Sequence, residues 1–209
     1  RASYEPLEYI TNRVSFYSNE FFIDYGALIP RPETELLIDE VLKIAKDGDT
    51  IFEIGVGSGI ISIMLALNLK NSNIFASDIS LEALNVANKN IQNYNLENQI
   101  ITMNTNLLDG FNQKIDILVS NPPYIKDSYK IDENLKYEPQ NALFGGADGD
   151  EILKQIIVLA KQRCVKYLVC EMGYDQKESI KNFANSLDLF DIAFYKDYAN
   201  FDRGFVIKI

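Results

Sequence analysis

The feature that most constrains the fold is a regular alternation of short apolar runs and amphipathic stretches from residue 50 onward. The seven runs with strand length and β-rich composition are 50–54, 73–77, 99–103, 115–120, 166–171, 190–195 and 204–209. Between them lie helical stretches at 59–69, 81–94, 150–163 and 176–187, the second preceded by Ser80 as an N-cap. This alternation predicts an α/β fold with a doubly wound, mostly parallel seven-stranded sheet.

The chain before residue 47 has a different pattern. Two apolar runs, 14–16 and 21–23, flank Tyr17-Ser18-Asn19-Glu20 and predict a hairpin, and 32–46 predicts an amphipathic helix begun by Pro32. We therefore expect residues 1–46 to form an N-terminal β-hairpin appendage with a linker helix, and residues 47–209 to form the main domain. Residue 1 is Arg and not Met, so we expect upstream sequence to precede it. The long connection 124–150 predicts a lid or substrate loop.

Composition excludes several classes of function. The formal charge of −10 and the pI near 4.6 argue against stable binding to nucleic acid, which needs a Lys/Arg surface. The longest apolar run, 60–67, is too short to span a membrane, and two cysteines suggest free thiols, so we expect a cytoplasmic protein without a membrane partner. The sequence has no histidine, which excludes imidazole bases and His–metal sites, and we predict no metal.

The candidate catalytic motif is Asn121-Pro122-Pro123-Tyr124, directly after the apolar run 115–120. Two consecutive prolines fix φ twice and remove two N–H donors, so the carbonyls of Asn121 and Pro122 are held outward as acceptors. With the Asn121 side-chain oxygen and the face of Tyr124, such a loop can bind a planar group that carries NH₂, either an amide or a base amine. The alternative is a strand exit in which proline acts only as a stop.

The candidate ligand loop is Glu53-Ile54-Gly55-Val56-Gly57-Ser58-Gly59, at the end of the first predicted strand. Glycines there allow a tight turn and let a ligand approach N–H groups at a helix N-terminus. We expect Glu53, Gly55, Val56, Gly57, Ser58 and Gly59 to bind a cofactor, with Glu53 either orienting the loop or contacting the cofactor's amino-acid end. The spacing differs from the dinucleotide pattern, because Ile60 stands where its last glycine would be. The alternative is a strand–helix turn with no ligand.

Two further segments complete the predicted cofactor site. Asp78, followed by Ile79, ends the second strand about twenty residues after the glycine loop, where an acid can accept ribose hydroxyls. The alternative for Asp78 is capping of the next helix, which Ser80 could also do. Asn106 and Leu107, after the third strand, would border an adenine, or else form an ordinary polar turn. We expect Asn121 to border the cofactor as well.

Together these motifs resemble a class I S-adenosylmethionine-dependent methyltransferase that acts on an amino group. Further segments are similar to the HemK/PrmC family, whose members methylate the glutamine of the Gly-Gly-Gln motif in peptide chain release factors. These segments are 6–10, 28–35, 119–125, 137–143, 145–149 and 202–204. The resemblance implies a Rossmann-like methyltransferase sheet, S-adenosylmethionine as cofactor with S-adenosylhomocysteine as product, and a release factor as protein substrate. It also implies that Asn121, Pro122, Pro123 and Tyr124 bind the substrate glutamine.

The segment Ile-Pro-Arg-Pro-Glu-Thr-Glu favours a release factor over a ribosomal-protein glutamine as substrate, and by this resemblance Arg31 and Glu33 contact it. The alternative for that segment is a helix start whose first-turn acids suit the helix dipole. The chain departs from the family at Glu53, where Asp is usual, and at Asn106, which is often Asp, and by this resemblance we expect residue 1 to follow the family's upstream helical domain. An adenine-specific DNA methyltransferase, which stacks a flipped base on the aromatic residue, a dinucleotide oxidoreductase and a non-catalytic binding module remain alternatives.

Overall fold

The computed structural model describes residues 4–209, and its first part is a hairpin between two helices. The elements are α1 (Leu7–Thr11), β1 (Arg13–Phe16), β2 (Asn19–Phe22) and α2 (Thr34–Ile44). The hairpin turn contains only Tyr17 and Ser18, with φ of 50° and 60°, so β2 begins two residues earlier than the sequence predicted. Positive φ at both central positions is the geometry of two-residue hairpins, which normally use Asn or Gly. Helix α1 was not predicted.

The remaining chain alternates strands and helices. Its elements are β3 (Thr50–Ile54), α3 (Ile60–Asn68), β4 (Asn73–Asp78), α4 (Leu81–Asn93), β5 (Ile100–Asn104), β6 (Ile117–Ser120), β7 (Ile125–Lys126), β8 (Phe144–Gly146), α5 (Glu151–Gln162), β9 (Tyr167–Glu171), α6 (Lys177–Ser186), β10 (Ile192–Lys196) and β11 (Asp202–Lys208). Each predicted strand and helix of this part is present, with ends within about two residues of those expected. The predicted α/β fold class is confirmed.

The seven-stranded sheet has the order β10-β11-β9-β6-β3-β4-β5, and only β11 is antiparallel to its neighbours. The chain moves outward from β3 through β4 to β5, then crosses back to place β6 on the other side of β3. The topological switch point therefore lies between β3 and β6, where open α/β sheets bind ligands at the carboxyl ends of their strands. Ile54 and Ser120, the last residues of these two strands, are paired, and the Ser120 hydroxyl donates to the Ile54 carbonyl at 2.7 Å.

Helices cover both faces of this sheet, as alternate residues of each strand show. Ile51, Val119 and Val169 face α2, α3 and α4, whereas Phe52, Leu118 and Leu168 face α5 and α6. Apolar side chains on both faces explain why the central strands are continuous apolar runs. The hairpin residues Phe16, Phe21 and Ile23 belong to the first of these two cores. The division of the chain at residue 47 stays a prediction.

The connection 124–150 contains structure that the sequence did not predict. Strands β7 and β8 form a short parallel pair, with 3-10 turns at Asn134–Tyr137 and Gln140–Ala142 between them. The pair is too short to give a periodic sequence signal. It holds the chain after Tyr124 beside the carboxyl edge of the sheet, because the Ile125 N–H donates to the Leu143 carbonyl at 2.9 Å. Within residues 4–209, no helix has the length and apolarity to cross a membrane.

Candidate active site

The main cavity of the described chain opens at the switch point and has a volume of about 1050 Å³, counted out to open solvent. Most of the predicted ligand-binding residues line it: Glu53, Gly55, Val56, Gly57, Ser58, Asp78, Ile79, Asn106, Leu107, Asn121, Pro122 and Pro123. These residues come from four separate chain segments, which the parallel topology brings to one edge. We call this space the main cavity.

The glycine loop forms the floor of the main cavity. Gly55, Gly57 and Gly59 have φ of 75°, 53° and 83°, so the loop uses a backbone conformation that glycine adopts without strain. Gly59 does not line the cavity but precedes α3, where an added Cβ would lie 3.2 Å from the Ala87 Cα. Glycine at 59 therefore serves the packing of α3 against α4, while the glycines at 55 and 57 leave room above the loop.

Glu53 lies beneath this loop and has one free oxygen. Its Oε2 accepts a hydrogen bond from the backbone N–H of Ser62 at 3.0 Å and another from the Ser62 hydroxyl, so it caps the first turn of α3. Its Oε1 is buried and has no hydrogen-bond partner among residues 4–209. Burial raises the pKa of Glu53 to about 8, against the effect of the two hydrogen bonds from Ser62. Both roles expected for Glu53 are therefore open to it, since Ser62 holds one oxygen, the other has no partner among residues 4–209, and the residue lines the main cavity.

Asp78 also makes two contacts within the chain. Its Oδ2 accepts from the Gly57 N–H at 3.0 Å and its Oδ1 from the Ser80 N–H at 2.9 Å. Ser80 is the N-cap of α4, because its hydroxyl accepts from the Ala83 N–H at 3.1 Å. Each Asp78 oxygen keeps a further lone pair for a ligand hydroxyl. The capping alternative and the ribose role are compatible in this geometry.

The residues expected at the adenine end border the same cavity. Ile79 and Asn106 are exposed at the rim. Leu107 has a φ of 50°, and its carbonyl accepts from the Ser77 hydroxyl at 2.7 Å, which fixes this turn against β4. Their contact with a cofactor stays a prediction.

A second cavity of about 490 Å³ adjoins the first and is called the side cavity here. Leu28, Arg31, Asn121, Pro122 and Ala142 line both cavities. The remaining walls of the side cavity are mostly apolar and come from the chain after Asn121 and from the 124–150 connection, namely Tyr124, Ile125, Leu135 and Leu143. The two cavities therefore meet at the start of the Asn-Pro-Pro-Tyr motif.

The Asn121 amide has a defined partner at the junction of the cavities. Its Nδ2 donates to the Thr34 hydroxyl at 3.1 Å, and Thr34 donates to Glu171 Oε2 at 2.8 Å. No hydrogen bond to Asn121 Oδ1 is formed by residues 4–209, so this oxygen is available as an acceptor. Sequence reasoning missed Thr34 as a site residue, although Thr34 lay inside the segment singled out for its resemblance.

Tyr124 is held at both its ends by residues that were also missed. Its hydroxyl donates to Glu171 Oε1 at 3.1 Å, and its carbonyl accepts from Gln176 Nε2 at 3.0 Å. Burial, followed by the nearby negative charge of Glu171, raises the pKa of the Tyr124 phenol. Glu171 ends β9, and an acid at the carboxyl end of a central strand is the same signal that identified Asp78. Gln176 had no comparable signal.

Arg31 and Glu33, the two residues expected to contact a substrate, lie in different places. Arg31 lines both cavities and forms an ion pair at 2.5 Å with Glu138, whose side chain is 1% exposed. Glu138 also accepts from the Ile29 N–H at 3.1 Å, so it ties the chain before α2 to the 124–150 connection. Glu33 is the N-cap residue of α2 and lines neither cavity. A role for Glu33 in substrate binding stays a prediction.

Comparison with known sequences agrees with this site. The family described as Methyltransferase small domain matches residues 31–146. A Release factor glutamine methyltransferase from Buchnera aphidicola subsp. Schizaphis graminum is 36% identical over 204 residues, which cover 95% of this chain and 74% of that protein. A Bifunctional methyltransferase from Rickettsia typhi is 37% identical over 206 residues, which cover 86% of this chain but only 40% of that protein. The chain therefore spans less than half of the Rickettsia protein.

Solved structures share the fold at low sequence identity. The catalytic domain of hMettl16 in complex with the MAT2A 3'UTR hairpin 6 has a TM-score of 0.75 at 16% identity, covering 90% of this chain and 74% of that chain. The E. cuniculi Mtq2-Trm112 complex has a TM-score of 0.63 at 16% identity, covering 88% and 98%. These similarities confirm the Rossmann-like methyltransferase architecture. The family match and the sequence relatives show that the chain belongs to the release factor glutamine methyltransferase family within the methyltransferase small-domain proteins.

Proposed function

We propose that this chain transfers a methyl group from S-adenosylmethionine to the side-chain amide nitrogen of the glutamine in the Gly-Gly-Gln motif of peptide chain release factors. The observation that carries the proposal is the meeting of the two cavities at Asn121, whose Oδ1 is left free by the hydrogen bond from Nδ2 to Thr34. The name shared by the sequence relatives supports the choice of substrate.

The main cavity fits S-adenosylmethionine in the chemistry of its lining. The unpartnered Oε1 of Glu53 suits the ammonium of the amino-acid end, and Asp78 suits the ribose hydroxyls. Leu107 and Asn106 would hold the adenine at the opposite end. When bound, the cofactor supplies an electrophilic methyl group on a positively charged sulfur.

At the substrate end, the chain must improve a weak nucleophile, because the lone pair of an amide nitrogen is delocalised. In this proposal Asn121 Oδ1 and the Pro122 carbonyl accept the two N–H bonds of the substrate amide. This contact orients the nitrogen toward the main cavity and stabilises the positive charge that develops on it. The ring of Tyr124, held through its hydroxyl by Glu171, forms a flat wall for the amide plane.

The lining and charge of the site favour a protein loop over a nucleic acid. The side cavity is mostly apolar, and Arg31, the cation in its lining, already pairs with Glu138. The formal charge of −10 provides little attraction for a phosphate backbone. The proposed partner is therefore a release factor, met in the cytoplasm, with no membrane or stable nucleic-acid contact.

The decisive experiment incubates the purified chain with labelled S-adenosylmethionine and a purified release factor, then locates any methyl group by peptide mass. The matched substrate control is the same release factor with its Gly-Gly-Gln glutamine replaced by glutamate. We expect methyl on that glutamine and none on the control. Parallel reactions replace the release factor with ribosomal protein or with DNA, and label found only in one of these would refute the proposed substrate.

A further inference from the structure

Two buried side chains, Thr34 and Glu171, and the half-buried Tyr124 form a hydrogen-bonded network behind the Asn121 amide. Thr34, at the start of α2, accepts from Asn121 Nδ2 at 3.1 Å and donates to Glu171 Oε2 at 2.8 Å. The Tyr124 hydroxyl donates to the other carboxylate oxygen, Glu171 Oε1, at 3.1 Å. Thr34 is 2% exposed and Glu171 is 1% exposed, so water cannot replace these partners freely.

The number of hydroxyl hydrogens in this network fixes which groups donate and which accept. Thr34 has one hydroxyl hydrogen, and because Asn121 donates to its oxygen, that hydrogen is directed at Glu171. Tyr124 likewise has one hydroxyl hydrogen, which also points at Glu171. Both carboxyl oxygens then accept, which is the arrangement of an ionised carboxylate. In this state Asn121 presents Oδ1, its acceptor, to the cavities.

Protonation of Glu171 on Oε2 permits the opposite order. The carboxyl would donate to Thr34, the Thr34 hydroxyl would donate to Asn121, and the amide would have to turn its Oδ1 toward Thr34. Its NH₂ group would then face the cavities. Two donors would meet the NH₂ of a substrate amide, so the acceptor contact of the proposed reaction would be lost.

We propose that Glu171 is a positioning residue that sets the orientation of the Asn121 amide through Thr34: the carboxylate holds Oδ1 toward the substrate, and its protonation reverses the amide. The proposal rests on the proposed function for its kinetic consequence. Its structural consequence, a coupling between Glu171 and Asn121, exists in the free protein.

The surroundings of Glu171 bring the pKa of its carboxyl near neutral pH. Burial raises the pKa of Glu171 to about 7, while the hydrogen bonds from Thr34 and Tyr124 and the positive charge of Arg203 on β11 lower it. The other titratable groups facing it are Glu33 at the start of α2, which raises the pKa further, and Tyr195 on β10. The carboxyl is therefore protonated below about pH 7 and ionised above it, so the competent orientation gains population as pH rises.

The kinetic test compares Thr34→Val with Thr34→Ser at saturating cofactor and release factor. Valine keeps the shape but removes the hydroxyl, whereas serine restores it. We expect wild-type kcat to rise about fivefold between pH 6 and 7 as Glu171 ionises. Thr34→Val should lower kcat at pH 8 by about fivefold, the value of one hydrogen bond, and lose the pH step, while Thr34→Ser recovers both. Thr102→Val, the same change at a threonine on the edge strand β5, should leave kcat unchanged.

The second readout needs neither cofactor nor substrate. In the free protein, the ¹³C signal of the Glu171 carboxyl and the side-chain ¹⁵N signal of Asn121 are followed by NMR from pH 5.5 to 8.5. We expect both to report the same midpoint in the wild type. In Thr34→Val, Glu171 should still titrate while the Asn121 signal no longer follows it.

The outcomes separate this inference from the proposed function. If the wild type does not methylate the release-factor glutamine but Asn121 follows Glu171 in the free protein, the proposed function fails and the coupling stands. If the wild type does methylate it, and Thr34→Val keeps both the rate and the pH profile, the inference is wrong. If Thr34→Val does not fold, the wild-type titration decides alone, and an Asn121 signal that ignores Glu171 overturns the inference.

Discussion

The buried carboxyl of Glu53 should make cofactor affinity depend on pH. Its Oε1 has no partner in the described chain, and its pKa of about 8 reflects burial, with the negative charge of Asp78 as a further contribution. A cofactor ammonium can pair only with the ionised carboxylate, so binding below pH 8 must first remove a proton from Glu53. We therefore expect S-adenosylmethionine and S-adenosylhomocysteine to bind best near pH 8.

The size of this pH effect on affinity follows from two protonation equilibria. With Glu53 at a pKa of about 8 and a ligand α-amino group near its usual value of about 7.9, the paired form needs the first ionised and the second protonated. That combination holds for about 22% of encounters at pH 8, about 8% at pH 7 and about 1% at pH 6. The dissociation constant should therefore be about threefold larger at pH 7, and about twentyfold larger at pH 6, than at pH 8.

Isothermal titration calorimetry can measure both the affinity and the accompanying proton release. Repeating the titration at pH 7 in buffers of different ionisation enthalpy should show release of about 0.8 proton, falling to about none at pH 8. Glu53→Gln should remove the acid limb and the proton release, and weaken binding at pH 8 by about tenfold or more, the value of a hydrogen bond to a charged group. Glu97→Gln, the same change at an exposed position, is the control. A wild-type affinity that is constant from pH 6 to 8, with no proton release, would refute this reasoning.

Three other substitutions test separate parts of the site. Asn121→Ala should lower methyl transfer by at least about tenfold while cofactor affinity stays within a few fold; unchanged turnover on a glutamine substrate would exclude the assigned role. Gly145→Ala should slow the reaction and lower Tm, because the new Cβ would lie 2.5 Å from the Pro123 carbonyl oxygen, an overpacking cost of about 1–3 kcal/mol. An unchanged steady-state rate and an unchanged Tm would show that the loop moves to make room for the methyl group. Arg31→Ala leaves the buried Glu138 without its cation, and urea unfolding should show a loss of about 1–3 kcal/mol, since Arg31 is itself 32% exposed; Arg31→Lys should recover part of that loss.

The sequence was sufficient to predict the elements that form the switch point. Strands β3 and β6 are apolar runs with both faces buried, and each is followed within two residues by a residue type that stops a strand, Gly55 or Pro122. Parallel topology then places both ends at one edge, so the glycine loop and the Asn-Pro-Pro-Tyr motif had to be neighbours. The pairing of Ile54 with Ser120 confirms this placement.

The supporting residues could not be found by the same reasoning. The bond between Thr34 and Glu171 joins residues 137 positions apart, and nothing in either local sequence records it. Strands β7 and β8 have two and three residues, below the length at which periodicity is visible. The turn at Tyr17 and Ser18 uses positive φ without glycine or asparagine, so local propensity predicted a longer loop.

The two buried acids lie on the two strands that flank β6. Glu53 on β3 and Glu171 on β9 point to the face covered by α2 and α3, and each is held by a residue at the start of one of these helices, Ser62 or Thr34. Because both must ionise, raising the pH from 6 to 7 should increase the rate about 45-fold at limiting cofactor but only about fivefold at saturating cofactor. Thr34→Val should remove the fivefold factor and leave the factor of about eight that belongs to cofactor binding at Glu53. Equal pH dependence at both cofactor concentrations would show that the two carboxyls do not act on separate steps.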